Sequence, residues 1–294
     1  MASDLELSAM RQAITLSALG LGTTSPNPPV GCVILNQHGA VVGAGFHRRK
    51  GEPHAEAHAL NAAGDAACGG TAVVTLEPCN HVGVTPACRQ ELINAGVSRV
   101  VIAVMDPTSR GEGGASMLAA AGVEVETDVL RNEALTVLEP WLTATVRRRP
   151  YLTWAFAAEG GHQSAAEERG LLDLRANADL VLAGKTVDEG IPGGHASAHF
   201  ALPDDADMGV ALLLWLSAAY DAGARSVLVV GHEHGAGMRP HLDAVDELVV
   251  SVPRTDPSRA LEVVQSDLIL IGFRLVEVTA HADSLTSRMR RVRR

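Results

Sequence analysis

The strongest constraint on the fold is a regular alternation of short apolar runs with helical segments. Thr71–Leu76 and Arg99–Val104 are mainly apolar runs of strand length, and Pro86–Ala95 between them is helical in composition. Gly114–Ala121 and Val123–Thr127 repeat the pattern as a helix followed by a strand. Strands separated by helices are typical of a sheet with helices on its faces. The sequence therefore predicts an α/β fold.

The segment before this pattern predicts an amphipathic helix, a turn and a hairpin. Apolar residues recur at helical spacing over Leu7–Leu21. The run Thr24–Pro29 cannot continue that helix because its prolines lack an N–H. Val30–Leu35 and Ala40–Phe46 are then predicted strands, and His54–Ala67 is a predicted helix.

A charged stretch closed by proline, Arg147–Pro150, marks the predicted boundary between domains of residues 1–146 and 147–294. A length of 294 residues fits two domains of ordinary size. Five further strands are predicted beyond the boundary, so the second domain is also expected to be α/β. These strands are Tyr151–Ala157, Leu180–Ala183, Ser226–Val230, Glu247–Val252 and Phe273–Val278.

Composition and charge exclude several classes of partner. The net charge of −10 opposes binding to nucleic-acid phosphates. The longest uncharged apolar stretch, Met208–Tyr220, has 13 residues and predicts a buried helix, since a membrane span needs roughly 20. Asp4 and Glu6 stand where a signal peptide would carry positive charge, so a cytoplasmic location is expected. The arginine-rich segment 288–294 predicts a solvated chain end, and a weak contact with an anion or a nucleic acid is the alternative.

One histidine and two cysteines in the first domain have the chemistry of a metal site. His54, Cys79 and Cys88 would give Zn²⁺ three ligands and leave the fourth tetrahedral position for water. Zinc lowers the pKa of such a water to about 7. Glu56, two residues after the histidine, could accept a proton from the water and deliver it to a leaving amine. This H-x-E…P-C pattern indicates a zinc deaminase, although eight residues separate Cys79 from Cys88 where the simplest form has two.

Other interpretations of these residues are open. A structural zinc site would need a fourth ligand, for which His47, His58 and His81 are near in sequence. A zinc protease would need glutamate at position 55, where the chain has alanine.

The remaining cysteines and histidines are interpreted as incidental to metal binding. Cys32 falls within a predicted strand and Cys68 at a helix end. The histidines of the second domain have no cysteine or carboxylate partner in the pattern. The five considered as a possible second metal site are His195, His199, His232, His234 and His241.

A series of ordered motifs resembles the riboflavin-biosynthesis deaminase/reductase family, over nearly all of residues 5–145. The resemblance implies a cytidine-deaminase-like three-layer α/β/α sandwich followed by a smaller dihydrofolate-reductase-like α/β domain. The matching motifs are Pro26–Ile34, Gly43–His47, Gly51–Glu56, Thr75–His81, Ala95–Val97 and Asp106–Pro107.

The resemblance also implies a reaction, namely hydrolytic removal of an exocyclic amine from a diaminopyrimidine that carries a ribosylamine phosphate. By position, His54, Cys79 and Cys88 would hold zinc, and Glu56 would move the proton. The resemblance further implies that Asn27, His47 and His81 line the substrate pocket. A turn-stabilising role for Asn27, a surface position for His47 and an indirect, ligand-orienting role for His81 are the alternatives.

The chain departs from the family pattern in both halves. Val84 stands where the family has a lysine or arginine that would help to hold the phosphate. In the second half, Ala155–Gly161 lacks the lysine and aspartate of the family pattern, and Gly231-His232 replaces a Gly-Gly turn that approaches the nicotinamide cofactor. NADPH binding is therefore not expected.

These observations together predict a zinc-dependent hydrolytic deaminase of a small aminopyrimidine, fused to a reductase-like domain without reductase activity. We expect it to form a homo-oligomer, because the resemblance implies one. Three alternatives are open. The same chemistry could act on a non-phosphorylated heterocycle or another amine, the chain could be a non-catalytic binding or scaffold protein, or both halves could be active. The presence of Glu56 argues against a pure binding module, which has no need of a proton shuttle.

Overall fold

The computed structural model describes residues 1–80, 87–109, 113–157, 165–183, 186–192, 208–232, 239–253, 272–281 and 284–292. The chain divides into two compact units, Met1–Leu142 and Thr143–Arg294. Each unit has its own sheet, and the units are described separately below.

The first unit contains a five-stranded sheet in the order β2-β1-β3-β4-β5. The strands are β1 (Gly31–Leu35), β2 (Val41–Phe46), β3 (Thr71–Leu76), β4 (Arg99–Val104) and β5 (Glu124–Glu126). β1 is antiparallel to both β2 and β3, whereas β3, β4 and β5 are parallel. The helices are α1 (Asp4–Ala18), α2 (Ala55–Ala63), α3 (Cys88–Asn94), α4 (Gly113–Ala120) and α5 (Arg131–Arg147). The predicted elements of this half are confirmed to within a few residues at their ends.

Glycines allow α1 and α2 to pack closely on the sheet. A Cβ atom at Gly31 would lie 2.0 Å from the carbonyl oxygen of Ala13 in α1, and one at Gly45 would lie 2.5 Å from Cβ of His58 in α2. Gly31 pairs with Phe46, the neighbour of Gly45, and successive residues of a strand face opposite sides. α1 and α2 therefore cover opposite faces of the sheet, which gives the α/β/α layers.

The second unit contains a seven-stranded sheet in the order β11-β12-β10-β6-β9-β7-β8. The strands are β6 (Tyr151–Ala157), β7 (Leu180–Ala183), β8 (Thr186–Glu189), β9 (Ser226–His232), β10 (Glu247–Pro253), β11 (Phe273–Ala280) and β12 (Ser284–Arg291). The four central strands are parallel, and β8, β11 and β12 are antiparallel to their neighbours.

Two helices of this unit, α6 (Ala165–Ala176) and α7 (Met208–Asp221), contribute to separate apolar cores. Trp215 of α7 belongs to the core of Trp154, whereas Leu171 of α6 packs in a second core around Val181. The prediction that α7 is buried is only partly correct, because Leu213 and Leu214 are 52% and 67% exposed. An uncharged sequence therefore predicts that a helix is apolar, but not that all of its faces are buried.

The prediction that the arginine-rich segment 288–294 is a solvated end is wrong for residues 288–291, whereas residues 293 and 294 lie outside the described residues. Residues Ser284–Arg291 form β12, of which Ser284–Arg290 pair with β10. Arg288 and Arg290 both bind the carboxylate of Glu247, a side chain only 2% exposed. The segment is ordered because these charges meet a buried carboxylate on the neighbouring strand.

None of the helices in the described part of the chain is long and apolar enough to span a membrane.

Candidate metal centre and active site

Three donor atoms meet where β3 ends and where α2 and α3 begin. His54 precedes the first residue of α2, Cys79 lies in the segment after β3, and Cys88 is the first residue of α3. Nδ1 of His54 lies 3.2 Å from Sγ of Cys88 and 3.8 Å from Sγ of Cys79, and the two sulfur atoms are 3.3 Å apart. The three side chains predicted to act together are thus placed side by side.

The electrostatics of the two thiols differ. Hydrogen bonding from the Cys88 thiol is the largest effect on Cys79 and, with further hydrogen bonds, outweighs its burial, so that the pKa of Cys79 falls to about 4. The backbone N–H of Cys88 also donates to Sγ of Cys79 over 3.3 Å. The same sulfur–sulfur contact raises the pKa of Cys88, and the hydrogen bond with Cys79 raises that of His54. Of the two thiols, Cys79 is therefore the one that loses its proton more readily.

The donor set fits a zinc ion. The nitrogen and both sulfurs lie within 4.8 Å of one another. Tetrahedral zinc with ordinary bond lengths needs ligand separations of about 3.6 Å between nitrogen and sulfur and about 3.8 Å between sulfurs. The observed separations are within a few tenths of an ångström of these values. Thiolate and imidazole are also the ligand types that zinc prefers.

Glu56 lies in the first turn of α2 and is almost completely buried, with 3% of its surface exposed. Burial raises the pKa of its carboxyl group to about 7, because desolvation penalises the charged form more than the nearby His54 favours it. Among the described residues, Glu56 forms no ion pair with an arginine or lysine. A carboxyl group held in this way can both accept and release a proton near neutral pH.

Asn27 and His47 form a hydrogen-bonded pair beside the donor atoms. His47 is 2% exposed, and its ring lies edge-on to that of His54 with 5.2 Å between centroids. Nδ1 of His47 lies 3.1 Å from the carbonyl oxygen of Pro53, which can only accept, so Nδ1 carries the proton. Burial lowers the pKa of His47, which leaves Nε2 as an acceptor for the Asn27 amide NH₂ at 3.2 Å. This arrangement turns Oδ1 of Asn27 away from His47.

Sequence reasoning missed Glu77, which fixes the segment that carries Cys79. Its carboxylate is 5% exposed and accepts hydrogen bonds from Oγ of Ser109 at 2.9 Å and from the backbone N–H of Ala115 at 3.0 Å. These bonds tie the end of β3 to the first turn of α4. An acidic residue that ends an apolar strand, directly before the Pro78-Cys79 dipeptide, is the local signal that could have drawn attention to it.

Other candidate residues are outside this group. His58 lies on α2, but it does not join the three donor atoms. Cys32 is buried in β1, and Cys68 is exposed. The predicted pocket residue His81 and the departure at Val84 lie outside the described residues, as do His195, His199 and His234.

Comparisons with known proteins place this geometry in a family. Residues 4–104 match the model of the cytidine and deoxycytidylate deaminase zinc-binding region, a range that contains all three donor residues and Glu56. The chain is 48% identical over 126 residues to a diaminohydroxyphosphoribosylamino-pyrimidine deaminase of Buchnera aphidicola, a match that covers 42% of this chain and 85% of that protein. This chain belongs to the riboflavin-biosynthesis deaminase/reductase family, called the RibD family below.

Two further comparisons concern the longer RibD proteins. The riboflavin biosynthesis protein RibD of Mycobacterium tuberculosis is 44% identical over 189 residues, which is 60% of this chain and 56% of that protein. The chain thus spans about half the length of the curated RibD relatives that it matches. A deaminase/reductase structure from Thermotoga maritima superposes with a TM-score of 0.78 at 23% identity, over 98% of this chain and 99% of that one. This likeness confirms the predicted fold, a deaminase-like domain followed by a second sheet domain.

Proposed function

We propose that this RibD-family chain is a zinc-dependent hydrolytic deaminase of an aminopyrimidine. The observation that carries the proposal is the placement of a buried carboxyl group, that of Glu56, beside the donor atoms of His54, Cys79 and Cys88, with no arginine or lysine partner among the described residues. The names of the Buchnera relatives add that the substrate class is a phosphoribosylated diaminopyrimidine. Identity of 48% and 50% over 126 residues supports transferring that class to this chain.

In the proposed reaction, His54, Cys79 and Cys88 hold zinc, and zinc when bound makes water acidic enough to attack at neutral pH. The carboxylate of Glu56 accepts a proton from the attacking water. It then donates that proton to the exocyclic nitrogen as the carbon–nitrogen bond breaks. The second proton of the water moves to the neighbouring ring nitrogen, so that the products are a ring carbonyl and ammonia. Burial of Glu56 favours this cycle, because a pKa near the working pH suits both proton transfers.

Asn27 and His47 have a positioning role in this proposal. His47 fixes the amide of Asn27 through its Nε2 atom, so Oδ1 of Asn27 is the group available to accept a hydrogen bond from an N–H of the substrate. Trp141 supports the same turn, since its Nε1 donates to the carbonyl oxygen of Pro26 over 3.0 Å. We propose the third pocket residue, His81, on its sequence position alone.

We further propose that the second unit neither binds NADPH nor reduces the deaminated product. The support is the sequence of this unit, which lacks the lysine and aspartate of the family pattern in Ala155–Gly161 and has His232 in place of a glycine. A side chain at that place would hinder the close approach of backbone to a cofactor phosphate. Oxidation of NADPH in the presence of deaminated substrate would refute this part of the proposal.

The test is ammonia release by the zinc-loaded protein from the phosphoribosylated diaminopyrimidine and from its dephosphorylated form. The proposal expects release that is lost in Glu56→Ala while the zinc content is unchanged. Undiminished release by Glu56→Ala would overturn the assigned role of Glu56. Release from neither compound, with zinc bound, would favour a different amine substrate or the non-catalytic alternative.

A further inference from the structure

We propose that Arg89 binds the anionic group of the substrate and makes this site specific for a phosphorylated aminopyrimidine. This inference rests on the proposed deaminase function and adds a specificity-determining residue to it. Arg89 directly follows Cys88, and its backbone N–H donates to the carbonyl oxygen of Cys79 over 3.4 Å. The residue is therefore attached to both sulfur-bearing segments of the candidate metal centre.

The guanidinium group of Arg89 is held at the edge of this centre by neutral partners. Its Nε donates to Oδ1 of Asn80, the residue after Cys79, and its Nη1 donates to Oε1 of Gln90 over 3.3 Å. A guanidinium offers five N–H groups, and these two contacts use two of them. Among the described residues, no carboxylate lies within ion-pair distance of Arg89.

Arg89 differs in this respect from three other half-buried arginines that the structure describes. Arg99 binds three glutamates, Arg149 binds Asp246 through two nitrogens, and Arg288 binds Glu247 in the same bidentate way. Each of those arginines has its charge balanced within the fold. The half-buried charge of Arg89 is balanced by none of the described residues. The remaining N–H groups of its planar guanidinium can therefore bind an external anion.

The other cations near the site are less suited to this task. Arg48, Arg49 and Lys50 follow β2 and are exposed, so solvent screens their charge. The guanidinium of Arg48 also lies over the ring of Phe46, 5.8 Å from its centroid. Arg89 combines partial burial with attachment to both sulfur-bearing segments, and we therefore assign anion recognition to it.

Glu91 limits where the anion can bind. Its carboxyl group is close enough to Cys79 and His54 to be influenced by both of them. Residues two apart on a helix point in different directions, so Glu91 and Arg89 flank Cys88 on separate sides. An anionic substituent is repelled on the Glu91 side and attracted on the side of Asn80, which orients the substrate as well as binding it.

The experiment compares the phosphoribosylated diaminopyrimidine with its dephosphorylated form in the wild type, Arg89→Gln, Arg89→Lys and the matched surface control Arg48→Gln. We expect Arg89→Gln to lower kcat/KM for the phosphorylated compound roughly 10- to 100-fold, mainly through KM, with little change for the dephosphorylated compound. Arg89→Lys should recover part of the loss, because lysine restores the positive charge but not the bidentate hydrogen bonding of a guanidinium. Arg48→Gln should resemble the wild type, and all variants should keep their zinc.

A merely structural role for Arg89 gives a different result. Equal losses for both compounds, or loss of zinc from Arg89→Gln, would overturn the proposal. If the wild type releases ammonia from neither compound, the deaminase function itself fails, and equilibrium binding of the phosphorylated compound then decides the role of Arg89. Weaker binding to Arg89→Gln than to the wild type would support that role, and equal binding would refute it.

Discussion

Glu56 in the first unit and Glu247 in the second are buried to the same degree, 3% and 2% exposed, but their surroundings are opposite. Glu247 accepts hydrogen bonds from Arg288 and Arg290, so its charge is compensated inside the fold. Glu56 has no such partner among the described residues and lies instead beside a histidine and two cysteines. Burial alone therefore does not indicate function. A buried carboxyl group left without a cation, next to metal-ligating side chains, is the informative case.

The largest expected effect is the loss of ammonia release when Glu56 is replaced, which Glu247 should not share. Glu56→Gln should lower kcat for ammonia release by about 10²- to 10⁴-fold, because glutamine cannot transfer the proton. Its folding stability should not fall, since the substitution removes a buried charge that has no arginine or lysine partner among the described residues. Steady-state rates and urea unfolding of the same preparation check these two statements, and its zinc content shows whether the metal site is still loaded. A variant that unfolds more readily than the wild type would contradict this account of Glu56.

The second prediction concerns Glu247, for which the effects should be reversed. Glu247→Gln should lower the free energy of unfolding of the second unit by about 3 kcal/mol, because two arginines lose a buried partner. We place the value at the lower end of the usual range, since the Arg288 side chain is 36% exposed. Ammonia release by the folded protein should be unchanged.

Denaturant unfolding followed by tryptophan fluorescence measures this loss, with Glu277→Gln as the control. Glu277 lies on the neighbouring strand β11 and is exposed, so its replacement should have little effect. Equal stability of the two variants would show that the Arg288–Glu247–Arg290 cluster is not a stabilising element.

The contrast between these two glutamates also explains what the sequence could predict. The sequence predicted that one group contains His54, Cys79, Cys88 and Glu56, because metal ligands and proton shuttles follow characteristic residue types and spacings, and the structure places these residues together. The arginine partners of Glu247 lie about forty residues further along the chain. The local sequence of β12 therefore gives no indication that its arginines pair with a buried carboxylate. The segment therefore resembled a solvated tail. Glu77 was missed for the same reason. Its partners Ser109 and Ala115 lie beyond the next strand, β4, and are therefore distant in sequence.

The third prediction tests how the sheet positions Glu56. A Cβ atom at Gly45 would lie 2.5 Å from Cβ of His58 and 2.8 Å from the backbone nitrogen of Ala59, so Gly45→Ala must displace α2 from β2. We expect a loss of about 1–3 kcal/mol in stability, as is usual for overpacked sites. Ammonia release should fall as well, because Glu56 moves with α2.

Gly170→Ala in the second unit is the matched control for this substitution. Gly170 lies within α6, and a Cβ atom there meets no heavy atom within 4 Å. Alanine should therefore stabilise the helix by about 1 kcal/mol. Thermal unfolding and ammonia release of both variants check the pair. A Gly45→Ala protein with wild-type stability would show that α2 can shift at no cost.

The smallest expected effect concerns acid stability of the first unit, where Arg99 binds Glu6, Glu124 and Glu126. The hydrogen bond from Arg99 holds the pKa of Glu126 below its ordinary value of 4.5. Its contribution to stability is therefore present above pH 4.5 and is lost as the pH falls through the lower folded-state value.

Glu126→Gln should lower the free energy of unfolding by less than about 1 kcal/mol at pH 7, because the site is partly solvated. Urea unfolding at a series of pH values should show the wild-type and variant curves converging below pH 4.5. A constant difference down to the lowest pH would mean that packing of the side chain, and not its charge, stabilises this corner of the sheet.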